Sequence, residues 1–353
     1  MKRKIAIIVA VIVLILAIAT VGVVLALENK DNTNTDPQQP GETQNYTINI
    51  VVPDGSPAIA LAKMINDNDA PTGYTVNYTI VNGAQEIATR IANGSADIAI
   101  APTNILSTIY NNTQSGKLVG TVVQGALYMV GKNAPAGETT LEKLNSLKGK
   151  VVYNIGQGAT PDLTFKYIMD AYDIEYANTA EPTENQIGLQ YVQTGAELIP
   201  LLKQNKAEYG ILGEPAVSNA NQNAGTSTVF DIQALWQEVT GSQSYGFPQA
   251  GLYVVNKYLT ADHAALVNWI AAKLDQNSEW AEQNPAKVSE IMTANGSMSL
   301  SGLTTGKIAG CNLDWISAAE AKTGVNTYLA ALYGFNPQTV GGKVADDGFY
   351  YVG

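Results

Sequence analysis

Short apolar runs alternate with amphipathic stretches along most of this chain, and the alternation predicts strand–helix units. Residues 46–52 and 74–81 have the β-branched and aromatic content that is typical of strands. Between them and after them, as at residues 83–93, apolar side chains recur at helical spacing. The same order continues through the middle of the chain, whereas the part after residue 260 is mostly helical. Alternation of this kind predicts an α/β fold with mainly parallel sheets.

Two apolar runs are near copies of each other, residues 125–130 (Gly-Ala-Leu-Tyr-Met-Val) and residues 250–255 (Ala-Gly-Leu-Tyr-Val-Val). One series of strand–helix units precedes the first copy, and another lies between the two. A chain that leaves one lobe and returns by a matching strand predicts two lobes, two hinge crossings and a ligand cleft. The predicted boundaries are residues 46–126 plus 250–353 for lobe 1 and residues 127–249 for lobe 2.

The N-terminal part has a different character. Three positive residues within residues 1–4 precede residues 5–27, which carry no charge. As a helix at about 1.5 Å per residue this run would extend about 34 Å, which is enough to cross a bilayer. We expect an uncleaved membrane anchor with the rest of the chain outside the cell; the alternative is a signal that is removed after Ala26. Residues 28–45 are polar and predict a flexible tether.

Composition excludes several function classes. The formal net charge is −11, and no basic patch suits nucleic acid. Cys311 and His263 are the single cysteine and the single histidine of the chain, so an internal disulfide is excluded. The same scarcity argues against a Cys/His metal centre and against a nucleophile–base pair, and we predict no enzyme activity, no cofactor and no metal. Thr260 precedes a predicted helix, which makes His263 a surface histidine at the helix start.

In open parallel sheets, ligands bind at the carboxyl ends of strands, where helix N-termini offer free N–H groups. Four loops have this position. Two glutamines, Gln124 and Gln249, precede the crossings and should face each other across the cleft floor. Together with these glutamines, the predicted ligand-binding residues are Asp54, Gly55, Ser56, Pro57, Thr103, Asn104, Gln157, Gly158, Ala159, Thr160 and Glu214.

Two alternatives stay open for this set. Ser56, Thr103 and Thr160 would bind a ligand through their hydroxyls, or each would simply cap its own helix. The carboxyl group of Glu214 would pair with a ligand amine or donate when protonated, or it would be a helix-start glutamate favoured by the helix dipole. Recurrence of the hydroxyls in both predicted lobes favours ligand binding. Tyr245 and Phe247 precede the second crossing and are weaker candidates for the cleft wall.

From residue 46 to residue 353 the chain resembles the solute-binding proteins of ABC importers, in the nitrate/sulfonate/taurine and thiamine-precursor group. The resemblance is carried, in order along both predicted lobes, by residues 55–60 (Gly-Ser-Pro-Ala-Ile-Ala), 93–99 (Asn-Gly-Ser-Ala-Asp-Ile-Ala), 147–150 (Leu-Lys-Gly-Lys), 214–215 (Glu-Pro) and 247–250 (Phe-Pro-Gln-Ala).

The resemblance implies a two-lobed type II periplasmic-binding fold that captures a small polar or anionic solute and delivers it to a permease. It also implies a permease and an ATPase as partners, and we expect a monomer that reaches the membrane only through its N-terminal helix. The group covers nitrate, bicarbonate, alkylsulfonates and pyrimidines, so a pyrimidine ligand is an alternative. An extracellular ligand sensor with the same cleft is a second alternative.

Overall fold

The computed structural model describes residues 45–353, which contain two six-stranded sheets. In chain order the strands are β1 (Tyr46–Pro53), β2 (Tyr74–Val81), β3 (Ile98–Pro102), β4 (Gly116–Val123), β5 (Leu127–Gly131), β6 (Val151–Ile155), β7 (Tyr176–Ala177), β8 (Ile187–Val192), β9 (Tyr209–Gly213), β10 (Ser227–Asp231), β11 (Ala250–Val255) and β12 (Leu313–Ser317).

Helices connect most of these strands. They are α1 (Ser56–Ile59), α2 (Ala62–Asp67), α3 (Gln85–Ala92), α4 (Thr103–Thr113), α5 (Thr140–Asn145), α6 (Thr160–Ala171), α7 (Gly195–Lys203), α8 (Ala216–Ala224), α9 (Ile232–Thr240), α10 (Ala264–Gln283), α11 (Pro285–Ala294), α12 (Thr305–Ala309) and α13 (Ala318–Phe335). Short 3₁₀ turns lie at Asn256–Tyr258, Ala261–His263, Pro337–Val340 and Asp347–Phe349.

The strand order is β12-β4-β11-β3-β1-β2 in the first sheet and β10-β5-β9-β6-β8-β7 in the second. The chain therefore passes from the first sheet to the second between β4 and β5, and it returns between β10 and β11. We call the part built on the first sheet lobe 1 and the part built on the second lobe 2. Two crossings are present, as the repeated apolar run predicted, while the residue boundaries of the lobes stay a prediction.

The expectation of mainly parallel sheets is wrong at one side of each sheet. Strands β2, β1 and β3 are parallel, but β11 runs antiparallel to both β3 and β4. In the second sheet β5 runs antiparallel to β9 and β10. The crossings explain this direction. A strand that enters a lobe from the hinge runs antiparallel to the strands whose carboxyl ends lie at the hinge. The alternation of strands and helices predicts the strand–helix units within a lobe, but it does not predict the direction of the strands that enter from the hinge.

The helices after β11 pack mainly on lobe 1, but the last one also contacts lobe 2. Tyr328 of α13 is fully buried, and its ring stacks on Phe247 with centroids 5.1 Å apart. Trp236 of α9 meets the same tyrosine edge-on at 5.4 Å. The Tyr328 hydroxyl lies 3.3 Å from Thr164 Oγ1 on α6. An apolar core therefore runs continuously past the hinge, because these aromatic side chains come from both lobes.

His263, predicted as a surface residue, is half-buried. Its Nδ1 lies 2.7 Å from the Tyr74 hydroxyl, and its ring packs edge-on against Tyr46 and Tyr258. Thr260 occupies the N-cap position, but its side chain makes no capping hydrogen bond. The aromatic neighbours explain the burial, because strand ends brought together by folding cover this ring.

Within residues 45–353, none of the helices has the length and apolar character needed to span a lipid bilayer. The predicted membrane anchor at residues 5–27 and nearly all of the tether at residues 28–45 lie outside the described residues.

Candidate functional site

The loop after β1 brings a serine into contact with the opposite lobe. Gly55 has φ 111°, a backbone conformation that favours glycine, and it places Ser56 at the first position of α1 with Pro57 next. Ser56 is 4% exposed, and its Oγ donates a 2.9 Å hydrogen bond to the carbonyl oxygen of Glu214. Two of the loops predicted to hold a ligand, one from each lobe, are therefore in contact.

The three predicted hydroxyls do not cap their own helices, so the capping alternative is wrong for each of them. The N-cap positions are Gly55, Pro102 and Ala159, and none has a side-chain capping bond. Thr103 Oγ1 instead donates to the carbonyl oxygen of Pro248 in the second crossing, at 2.6 Å. Thr160 Oγ1 lies 3.5 Å from Asn104 Oδ1, which belongs to the opposite lobe.

A buried carboxylate organises the glycine-rich turn after β6. Asp162 is fully buried, and its Oδ2 accepts hydrogen bonds of 2.8 Å from the Gly158 amide and from Lys166 Nζ. Its Oδ1 accepts from the Tyr191 hydroxyl at 3.0 Å. The turn is thus held in shape by Asp162, which sequence reasoning missed although an acidic residue in the first turn of a helix is a usable signal.

The exposed part of that turn faces solvent. Gln157, Gly158 and Ala159 are exposed, and Thr160 is half-buried. The Gly158 amide already donates to Asp162, so a ligand at this turn, as predicted, would have to bind other polar groups of the turn.

The carboxyl group of Glu214 is directed to its own helix. Its oxygens accept from Ser218 Oγ at 2.8 Å and from the Ser218 amide at 3.2 Å, in the first turn of α8. Burial raises the pKa of this carboxyl group, and the Ser218 bonds together with the charge of Lys307 partly oppose the rise. The helix-start role of Glu214 is therefore present in the structure, while its main-chain oxygen makes the contact with Ser56.

Two other predicted residues hold loops of lobe 1 in place. Asp54 accepts hydrogen bonds from Ser297 Oγ at 2.5 Å and from the amides of Met298 and Ser299 at 3.0 and 3.1 Å. Asn104 Nδ2 donates to the carbonyl oxygen of Thr339 at 3.1 Å. For Asp54 these bonds occupy both carboxylate oxygens, whereas Asn104 still presents its amide oxygen to Thr160.

The side chains of the two predicted glutamines are both engaged by hydrogen bonds, to different elements. Gln124 Nε2 donates to the carbonyl oxygen of Asp314 and to Thr121 Oγ1, both at 3.0 Å. Gln249 Oε1 accepts from the Ala126 amide at 2.9 Å. Gln249 therefore holds the first crossing, whereas Gln124 ties β12 to the end of β4. A role in ligand binding stays a prediction for both.

Further contacts between the lobes come from residues that sequence reasoning did not assign to the site. The Tyr128 hydroxyl donates to the carbonyl oxygen of Gly310 at 2.9 Å, and Asn312 Nδ2 donates to that hydroxyl at 3.2 Å. Burial raises the pKa of Tyr128 to about 12. A Cβ atom at Gly310 would lie 2.9 Å from Glu214 Cγ, so only glycine fits without displacement. The lobes are in direct contact, which is a closed arrangement.

Lys307 joins the lobes at the same place. Its Nζ donates to Asn219 Oδ1 on α8 at 2.9 Å and to the carbonyl oxygen of Gly302 at 3.1 Å. No sequence pattern marks this lysine, because a single basic residue in a short helix is ordinary.

A separate cavity of about 400 Å³ lies beside the second crossing. Residues of α9, the loop that follows it and α13 line it, among them Trp236, Tyr245, Phe247, Glu320 and Thr327. Tyr245 and Phe247, predicted as weaker candidates for the cleft wall, thus border this cavity next to the hinge.

Solved structures share this fold. An ABC transporter from Parabacteroides distasonis is 23% identical with a TM-score of 0.71, and the match covers 87% of this chain and 99% of that one. The periplasmic aliphatic sulphonate binding protein SsuA from Escherichia coli is 14% identical with a TM-score of 0.60, covering 84% and 90%. The alkanesulfonate-binding protein SsuA from Xanthomonas axonopodis pv. citri, bound to MOPS, is 13% identical with a TM-score of 0.53, covering 85% and 95%.

These matches confirm the predicted α/β fold of ABC-transporter solute-binding proteins. No family model matches the chain, and no curated protein matches it. At these identities the likeness shows the fold alone and does not identify a solute.

Proposed function

We propose that this chain is the extracytoplasmic solute-binding subunit of an ABC importer, and that it performs no chemistry on its ligand. It captures a small polar or anionic organic solute between its lobes and delivers it to a permease that works with an ATPase. The observation that carries the proposal is that loops at strand ends of the two sheets meet, at Ser56 with Glu214 and at Thr160 with Asn104.

The two contacts also indicate what kind of ligand would fit. In the closed arrangement the Ser56 and Thr160 hydroxyls donate to oxygen atoms of the opposite lobe. A solute that enters the cleft has to replace these acceptors, because buried donors without partners are costly. Oxygen-rich groups such as sulfonate, carboxylate or nitrate supply acceptors for two hydroxyls at once.

Closure follows from differential affinity. The open lobes bind the solute through one side, and contacts from the other lobe then stabilise the closed state. A solute that touches both lobes shifts the equilibrium by the difference in its affinity for the two states. The buried cluster of Tyr328, Phe247 and Trp236 lies at the hinge, so opening would pivot about it.

The proposal places the chain on the extracellular face of the membrane as an anchored monomer, with the N-terminal run as anchor. The extracellular location is inferred from the positive charges that precede residues 5–27, as is the predicted anchor.

A thermal-shift screen of the purified full chain tests the function. The panel contains alkylsulfonates, nitrate, bicarbonate, carboxylates and pyrimidines. A ligand at about 100 times its dissociation constant should stabilise the folded state by about 2.7 kcal/mol. Stabilisation by none of these classes would contradict solute capture.

A further inference from the structure

Lys307 is a buried cation at the meeting point of the lobes. The residue is 9% exposed, and it projects from α12 to α8, which begins next to the Glu214 loop. Four residues after it comes Cys311, a buried residue whose thiol lies beside Ser56. The lysine therefore stands next to two of the loops predicted to hold the ligand.

Its partners are both neutral. Nζ donates to the side-chain oxygen of Asn219 and to the carbonyl oxygen of Gly302. An ammonium group has three N–H donors, so one remains. Among the ion pairs of residues 45–353 none includes Lys307, which places every described carboxylate beyond 4.0 Å from its nitrogen.

Glu214 is the nearby acid, and it is engaged elsewhere. Both of its carboxylate oxygens accept hydrogen bonds from Ser218 at the start of α8. It acts on Lys307 only through space, without a hydrogen bond. A buried cation whose direct partners are neutral is poorly stabilised, and an anion within hydrogen-bond distance would stabilise it strongly.

Opening of the lobes makes this lysine more available. Asn219 lies on α8 of lobe 2 and Lys307 on α12 of lobe 1, so their bond breaks when the lobes separate. Lys307 then keeps one neutral acceptor, Gly302, and two free donors.

We infer that Lys307 binds the acid group of the solute and makes the cleft selective for an oxyanion over an uncharged polar molecule. The inference rests on the proposed function and narrows its ligand class. The shared chemistry is an oxygen-bearing anion, such as an alkylsulfonate, a carboxylate, bicarbonate or nitrate, whose oxygens accept from Lys307.

Calorimetric titration of the full chain tests the inference with ethanesulfonate, acetate, bicarbonate and nitrate as anionic probes and cytosine as the uncharged one. The variants are Lys307→Met, which keeps the length and removes the charge, and Lys307→Arg, which keeps the charge. Lys287→Met is the matched control, because it removes one exposed positive charge from α11 of lobe 1. Thermal melting of each variant shows whether it is folded.

We expect at least one anion to bind more tightly than cytosine, and its affinity to fall about tenfold or more in Lys307→Met. Lys307→Arg should bind more tightly than Lys307→Met, and Lys287→Met should match the wild type. Equal affinities in folded Lys307→Met and Lys287→Met would overturn the inference. If Lys307→Met does not fold, an unchanged anion preference over cytosine in Lys307→Arg supports the inference, and a lost preference overturns it.

These outcomes distinguish a failure of the Lys307 role from a failure of solute capture. Binding of cytosine alone would overturn the role of Lys307 while leaving solute capture in place. Binding of none of the probes, with no response in the wider thermal-shift screen, would remove the proposed function and this inference together.

Discussion

Ser56 Oγ lies 2.9 Å from the carbonyl oxygen of Glu214, although the two residues are 158 positions apart in the chain. The bond joins the loop after β1 in lobe 1 to the loop after β9 in lobe 2. Because it crosses between the lobes, this bond would break if the lobes separated. Under the proposed function a ligand would compete with this bond for the Ser56 hydroxyl, so the site can be tested at this residue.

Replacing Ser56 and Thr160 together by alanine should weaken solute binding about tenfold or more without unfolding the chain. Both hydroxyls point across the cleft, and the variant removes one donor from each lobe. Calorimetry with a ligand found in the screen measures the affinity. Ser146→Ala with Thr113→Ala is the control, since those hydroxyls donate to carbonyl oxygens of their own helices. An affinity equal to that of the control would exclude these loops as the site.

Phe247→Ala should lower the free energy of unfolding by about 3–5 kcal/mol, because the ring is 1% exposed and packs against Trp236 and Tyr328. Urea unfolding followed by circular dichroism measures the loss. Tyr333→Ala on α13 removes a 38% exposed ring and should cost far less. Similar losses in both variants would show that the aromatic cluster does not stabilise the hinge.

Asp162→Asn should destabilise the chain by about 3–5 kcal/mol, since it leaves Lys166 without its buried partner. The turn at residues 156–160 should also exchange its amide hydrogens faster, because Gly158 loses a charged acceptor. Mass spectrometry of hydrogen exchange measures this. Asp170→Asn, at an exposed position of the same helix, should leave exchange in the turn unchanged. Unaltered exchange in Asp162→Asn would refute its positioning role.

The Cys311 thiol should react slowly with iodoacetamide in the folded chain and rapidly in urea. Burial raises its pKa from 9.0 to about 12, with an opposing effect of Ser56. Between these pH values the unfolded chain releases the thiol proton first, so the stability from this group is present below pH 9 and is lost as pH rises toward 12. Cys311→Ala should remove that part of the pH dependence. Fast labelling at neutral pH would show that the cleft is open at this residue.

Much of the fold follows from local patterns. The predicted strands and helices of both lobes are present, because an apolar run between turn residues has few other ways to bury its side chains. The repeat at residues 125–130 and 250–255 correctly indicated two crossings. The antiparallel entry of β5 and β11 was not predicted, since strand direction within a sheet depends on which end of a lobe the chain enters.

The candidate site was likewise predictable from the sequence only in part. Ser56 and Pro57 marked the start of α1 from sequence alone, although the N-cap is Gly55 and Ser56 is the first residue of the helix. The acceptor of the Ser56 hydroxyl was not predicted, because the carbonyl oxygen of Glu214 is an ordinary main-chain group that sequence cannot single out. Lys307 and Asn219 were missed for the same reason: each is unremarkable in its own segment.

The amino-acid sequence by itself determined the α/β units, the double crossing and the loops that begin helices, because hydrophobic periodicity and turn residues act over a few positions. Only the tertiary structure decided which side chains meet. Ser56 binds across the cleft instead of capping its helix, Glu214 turns back to its own helix, and Lys307 becomes buried among neutral partners. These outcomes depend on the distance between lobes, which is set by packing of residues far apart in the chain.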